Sequence, residues 1–397
     1  MREGIRRSFS FFLLFICIGL DMALVGPTLP ALAGQTGSTL GTMGMVFFVG
    51  AGGFSLGTLL GGWLFDWAPA KRILVIGQFI VTALVFLIPH IPSFGALMAL
   101  YVVKGIAGGT VHVGANTLMV WTHKEKAGPF VNALHFFFGL GAFLSPFLFG
   151  LLINAGRTYA DAYHVLACVS LAVGIILWAT LKPPAPAPRA AKEQAASDGG
   201  RRLALLVISA MLFLFFYVSA EITFGGWIYT YAVTLKLADA ARAAYLNSIF
   251  WLAFTIGRLI SIPAAVRFSP ARIIPIALAG CALFLGLLIL FPASPAAVWI
   301  AAAGAGFCMA PVWPSGFTLA GQSVRLTARI SGFILLGDSL GGMVLPGLTG
   351  WIMERAGAPA MARMVLISVG LTFLAYLGIV AYRRSGRTDP SPDAPDG

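Results

Sequence analysis

Apolar stretches longer than 18 residues recur along this chain of 397 residues and constrain its fold more than any other feature. A helix of that length crosses the hydrocarbon of a bilayer, about 30 Å thick. Backbone N–H and C=O groups find no water there, so only helices and closed barrels can span. Barrel strands would show segments of roughly 10 residues with alternating polarity, and the chain does not show them. With 59% hydrophobic and 10% charged residues, it also lacks the polar surface to cover a soluble globule. An all-α integral membrane protein is expected.

Twelve spans are predicted, near 8–32, 43–66, 72–89, 94–121, 128–153 and 162–181, then near 203–233, 243–267, 272–291, 295–322, 329–353 and 360–382. The start, MREGIRRSFSFFLLFICIGL, has the look of a signal peptide, and Ala31-Leu32-Ala33 that of a cleavage site. Its apolar run is too long for one and contains Asp21, so it reads as an uncleaved first span. Between the sixth and seventh spans, LKPPAPAPRAAKEQAASDGGRR (181–202) combines a proline cluster with Lys182, Arg189, Lys192, Arg201 and Arg202. Such a segment neither continues a helix nor enters hydrocarbon. The expected organisation is a six-helix bundle over 1–181, a cytoplasmic linker over 182–202, a second bundle over 203–384 and a disordered tail over 385–397.

The net charge of +12 lies mostly in short loops. Placing both ends in the cytoplasm puts 19 of the 26 lysines and arginines inside and 5 outside, with Lys104 and Arg258 within spans. That bias predicts a multi-pass protein of the inner (plasma) membrane with cytoplasmic termini, and it makes nucleic acid an unneeded partner. Cys17, Cys168, Cys281 and Cys308 all fall in apolar stretches without metal-ligand spacing, so neither a disulfide framework nor a metal site is expected.

The two halves repeat each other. DWAPAKRI (66–73) recurs as RFSPARII (267–274), a shift of 201, and GLGAFLSPFLFG (139–150) recurs as SLGGMVLPGLTG (339–350), a shift of 200. Asp21 falls opposite Glu221, again at 200. Three agreeing shifts mark two pseudo-symmetric six-helix bundles.

Parallel halves, a cytoplasmic linker and Gly62-x-Leu64-x-Asp66 with Lys71-Arg72 between the second and third spans resemble the major facilitator superfamily. GPTLPALAGQT (26–36), GANTLMVW (114–121), NALHFFFGLGAFLSP (132–146), SAEITFGGWIYTYA (219–232) and LNSIFWLAFTIGR (246–258) resemble its sodium-dependent glucose transporter-like group, which is related to the fucose–galactose–glucose symporters. The resemblance implies a twelve-helix fold whose halves rock about a midplane site.

Ionisable groups at membrane depth are costly and are usually paired or face a cavity. Asp21, Glu221 and Asp338 are therefore candidates for holding a coupling proton or sodium ion. The alternative for each is a structural hydrogen-bond acceptor between helices. His112 and Asn116 lie one turn apart on the fourth span, and Asn132 and His135 one turn apart on the fifth. Together with Glu221 they suit a hydroxylated solute, since each sugar hydroxyl both donates and accepts. Trp227, Trp251 and Trp313 lie away from the span ends, where they either stack on a pyranose ring or pack the bundle.

Pro311 and Pro314 should break or kink the tenth span. Arg258 and Asp338 each stand nine residues from a cytoplasmic-side arginine, at a shared depth of about 13 Å, which permits an ion pair. Asp66, with Lys71 and Arg72, is a candidate cytoplasmic gate, to which Arg258 is added. Gly53, Gly57 and Gly61 form a close-packing face between helices, a structural feature that secondarily offers a smooth surface on which the halves could slide.

These features predict a secondary transporter working by alternating access: cation-coupled uptake of a monosaccharide or similar polyol, with sodium or a proton. The alternative is an exporter of amphipathic drugs or lipids, which 31 phenylalanines permit. The absence of a His-Glu-x-x-His motif and a P-loop argues against an enzyme. No cofactor is called for, and the chain is expected to act as a monomer in the lipid bilayer.

Overall fold

Helices satisfy their own backbone groups, and the apolar stretches use them throughout. The computed structural model describes residues 2–181, 201–324 and 328–385, with the side chains of 8–65, 68–124, 126–181, 203–324 and 330–383. The first half holds α1 (Arg2–Thr36), α2 (Leu40–Met43), α3 (Met45–Trp67), α4 (Ala70–Leu87), α5 (Phe94–His123), α6 (Ala127–Asn154) and α7 (Tyr159–Thr180). The second holds α8 (Arg201–Thr234), α9 (Ala240–Arg267), α10 (Pro270–Leu290), α11 (Pro295–Met309), α12 (Val312–Gly321), α13 (Ala328–Ala356) and α14 (Ala360–Ser385).

With α2 joined to α3 and α11 to α12, twelve segments are long and apolar enough to cross a membrane. Most of the expected linker and tail, and the side chain of Asp66, lie outside the described residues.

Turn chemistry sets the ends. Thr158 and Asp161 form a capping box that starts α7, and Asp239 accepts from the Arg242 N–H at 2.8 Å to start α9. Left-handed glycines, Gly156 at φ +71° and Gly357 at φ +80°, close α6 and α13 in a backbone conformation that residues with a side chain rarely adopt. The tenth span does break: α11 stops at Met309 and α12 starts at Val312, with Pro311 between.

Within the first half α3 packs on α5 and α1 on α6; within the second, α8 packs on α13 and α14, and α9 on α11. The glycine face of α3 belongs to this internal packing. A Cβ at Gly53 would overlap the Val102 carbonyl oxygen, one at Gly57 that of Ile106, and one at Gly61 would meet Val113 Cγ1. The face therefore seats α5 against α3 inside one half, which corrects the expectation of a sliding surface between halves. Gly57→Leu should force the two helices apart and lower stability by about 1–3 kcal/mol. Gly62→Leu, with nothing within 4 Å of its Cβ position, is the control and should melt like wild type in a detergent thermal-unfolding assay.

The halves meet along three helix pairs, α1 with α8, α3 with α13 and α6 with α9. The contacts that join them cluster on the side away from the chain ends. There Gly26 lies against the backbone of Gly226, Gly44 against Gly347 and Gly150 against Tyr245. The Gly41 N–H donates to Glu354 Oε1 at 2.7 Å, Asn154 Nδ2 to the Tyr245 hydroxyl at 3.0 Å, and the Ser248 hydroxyl to the Phe143 carbonyl at 3.0 Å.

Toward the chain ends the same helix faces come apart. On α6, Asn132 shares a face with Gly139 and Phe143 by helical spacing, yet it is exposed. On α9, Leu259, Ile262 and Val266 continue the face of Thr255 and are 46%, 52% and 85% exposed. On α3 and α13, Leu59 and Leu336 continue the faces of Gly52 and Met343 and are likewise exposed. The molecule is thus closed on one side and splayed on the side bearing both chain ends.

Candidate functional site

Above this opening, two charged clusters sit in the two halves, and they differ. In the first half Lys104 Nζ on α5 donates to both oxygens of Asp21 on α1, at 2.8 and 2.6 Å. The ammonium also lies 5.0 Å from the Tyr101 ring centroid. Tyr101 and Tyr163 bring their hydroxyls within 3.3 Å, and Tyr163 meets Thr28 Oγ1 at 2.8 Å, so the polar groups around the pair have partners. Asp21 is therefore neutralised by a lysine that sequence reasoning noted as an intramembrane charge without pairing it. The signal was available: Asp21 and Lys104 carry opposite charges on two spans of one half.

The second half has no such lysine. At the repeat shift of 200, Lys104 corresponds to Gly304, so Glu221 keeps the acid of the pair without its base. Glu221 is buried midway along α8, beside Tyr217 one turn earlier. The Tyr217 hydroxyl donates at 2.7 Å to the Met309 carbonyl, which the break between α11 and α12 leaves free. Just beyond that break, Trp313 Nε1 donates to Asp338 Oδ1 on α13 at 2.7 Å, and its ring stacks on Phe317 at 5.6 Å and 10°.

Arg258 on α9 lies within electrostatic reach of Glu221 and Asp338, and of His135 across the interface. It makes no ion pair within 4.0 Å among the described residues; its guanidinium lies over the Phe254 ring at 4.8 Å, and its Nε is buried without a partner. The direct Arg258–Asp338 pair that equal depth permits is thus not formed, and the Asp338 Oδ1 accepts from the indole of Trp313. Arg258 stands in the charged cluster and not at the end of the span.

The first half faces this cluster with an aromatic wall. His112 lies between Phe15 and Phe54, at 5.2 and 5.3 Å, and His135 meets Phe15 edge-on at 5.9 Å. Asn116 donates to the His112 carbonyl at 3.1 Å, so much of its polarity is spent within its own helix. Asn132 lies exposed on the open side, one turn before His135 on α6.

Two of the three tryptophans fall elsewhere. Trp227 is wholly buried on the closed side, where its N–H donates to the Pro346 carbonyl at 2.9 Å and its ring meets Phe47. Trp251 is buried edge-on between Phe250 and Phe254, with its Nε1 unpartnered. In this conformation Trp313 is the one of the three that is both partly open and bonded to a charged group. Lys71 and Arg72 begin α4 on the open side. The grooves between α1, α6 and α7 and between α4 and α7 carry no charged side chain and lie away from this cluster.

Two six-helix bundles joined at one end and parted at the other, with a cluster of ionisable groups at membrane depth in each, have the build of a membrane transporter. The chain belongs to the major facilitator superfamily: the profile of the Major Facilitator Superfamily matches residues 11–346. It is 32% identical over 372 residues to sodium-dependent glucose transporter 1A of Mus musculus, covering 85% of this chain and 87% of that one. It is 29% identical over 377 residues to sodium-dependent glucose transporter 1 of Homo sapiens, covering 86% and 72%.

Among solved structures it resembles the nucleoside transporter NupG, with a TM-score of 0.72, 15% identity, and coverage of 96% of this chain and 99% of that one. It also resembles an inward-facing, unoccupied bacterial homologue of the human lysosomal transporter Spinster, with a TM-score of 0.73, 14% identity, and coverage of 98% and 99%. At these identities the structural likenesses bear on the fold alone.

Proposed function

We propose that this transporter carries a monosaccharide or similar polyol together with one kind of monovalent cation, sodium or a proton, and that it does so by uptake across the plasma membrane. The observation that carries this reading is the second-half cluster. Glu221 and Asp338 bring two carboxylates against the single guanidinium of Arg258, a formal charge of −1 when all three are ionised. A negative charge at membrane depth is costly without a counter-ion, and an arriving cation supplies it. The names of the relatives at about 30% identity, which specify sodium and glucose, agree with that chemistry.

Trp313 offers a flat ring beside the cluster, and Asn132 and His135 offer hydrogen-bonding groups from the opposite wall. With both termini cytoplasmic, as the charge bias predicts, the splayed side faces the cell interior and the closed side faces out. Cation binding then favours the state that returns to the outside or the one that carries substrate inward.

Purified protein in liposomes tests this with radiolabelled D-glucose. An imposed inward sodium or proton gradient should accumulate the label above equilibrium. Failure of both gradients to do so, with dye extruded from cells that express the protein, would favour the exporter instead.

A further inference from the structure

We propose that Trp313 is the positioning residue through which the coupling cation controls the sugar site, with the Asp338 carboxylate as the joint they share. The inference rests on the cation–sugar reading above and adds the physical link between the two ligands.

Four observations carry it. First, the charge is one-sided: Asp21 already has Lys104, whereas the Glu221–Arg258–Asp338 group, with all three ionised, is one positive charge short, so a cation is drawn to the second half. Second, Asp338 is divided. Its Oδ1 accepts the Trp313 N–H at 2.7 Å, while the described residues give Oδ2 no hydrogen-bond partner. A cation arriving at this carboxylate therefore arrives at the group that orients the indole.

Third, Trp313 stands on the first turn of α12, immediately after the break at Ala310 and Pro311, where the backbone is not held by a continuous helix. A ring on such a segment turns at less cost than one in mid-helix. Fourth, the other side of the break is tied to the second acid of the cluster: Tyr217, beside Glu221, holds the Met309 carbonyl at 2.7 Å. Both ends of the break thus report to the same charged group. Neutralising that group weakens the charge-assisted bond to the indole, and the ring plane of Trp313 with its Phe317 stack shifts as one platform.

The linkage is reciprocal, since a cation that changes sugar affinity by some factor must have its own affinity changed by the same factor. Trp313→Phe keeps a smaller aromatic platform and removes the N–H. The readout is the dissociation constant of radiolabelled D-glucose for the purified full-length protein, with and without saturating sodium and at pH 5.5 and 8, together with the cation-induced rise in melting temperature without sugar.

In wild type the cation should change glucose affinity by about tenfold or more, corresponding to about 1.4 kcal/mol of coupling. In Trp313→Phe the ratio should fall to one, while the cation still raises the melting temperature. A merely structural role would shift both dissociation constants together and preserve the ratio, and that result overturns the inference. If Trp313→Phe does not fold, Trp313→Tyr, which also lacks a donor at that position, carries the same expectation. A wild type that binds glucose without any cation dependence would overturn the coupled-transport reading and this inference with it. Retention of the ratio in the variants alone would overturn only the inference.

Discussion

Glu221→Gln is expected to abolish gradient-driven accumulation of labelled D-glucose, with a loss of a hundredfold or more and unchanged protein level. The side chain is buried in α8 and has lost, by comparison with Asp21, the lysine that would make it a structural ion. Its amide is nearly isosteric and keeps the hydrogen-bonding capacity toward Tyr217, so helix packing should survive. What the substitution removes is one negative charge from a group holding two carboxylates and one arginine. Exchange of label across liposomes at equal concentrations, which needs no gradient, should fall far less than accumulation. Wild-type accumulation by Glu221→Gln would remove Glu221 from the coupling role.

The second large effect belongs to the other half. Lys104→Ala leaves Asp21 as an uncompensated carboxylate at membrane depth, where the pair now makes two short charge-assisted bonds. Breaking a buried pair by removing one partner costs about 3–5 kcal/mol. With the Asp21 side chain 22% exposed, the lower end of that range applies. The melting temperature should therefore drop by several degrees. Adding Asp21→Asn should restore most of it, because the double variant buries no net charge. Measured by scanning fluorimetry of the three variants, this cycle separates a structural ion pair from a coupling site. A double variant no more stable than Lys104→Ala would contradict the pairing.

How much of this was readable in the sequence differs between fold and site. Helix length and hydrophobicity are local properties, so the twelve spans and the break at Pro311 emerged from residues alone, with α1 merely running to Thr36 where an end near residue 32 was expected. The repeat also pointed to two bundles. Partnership between side chains was harder, because it depends on rotation about helix axes and on tilt. The symmetry that matched Asp21 with Glu221 suggested two equal carboxylates, whereas Lys104, with Gly304 opposite, makes them unequal.

Depth arithmetic brought Arg258 and Asp338 to one level but could not see that Trp313 reaches the carboxylate first. Tryptophan position was misleading for the same reason: Trp227 and Trp313 both lie inside spans, and only their neighbours distinguish a packed ring from an open one. The glycine face of α3 carried no label saying which helix it meets, and the answer is α5.

Alternation between two openings is the claim on which the account turns. Spin labels at Asn132 and Leu259 report the splayed side, and labels at Thr42 and Arg355 report the closed side. Pulsed electron–electron distances should be measured in lipid nanodiscs, with and without D-glucose and sodium. The account predicts opposed changes: the Asn132–Leu259 distance shortens in a fraction of molecules while the Thr42–Arg355 distance lengthens in a matching fraction. Distances that stay fixed, or that lengthen on both sides together, while the same preparation accumulates glucose, would contradict it.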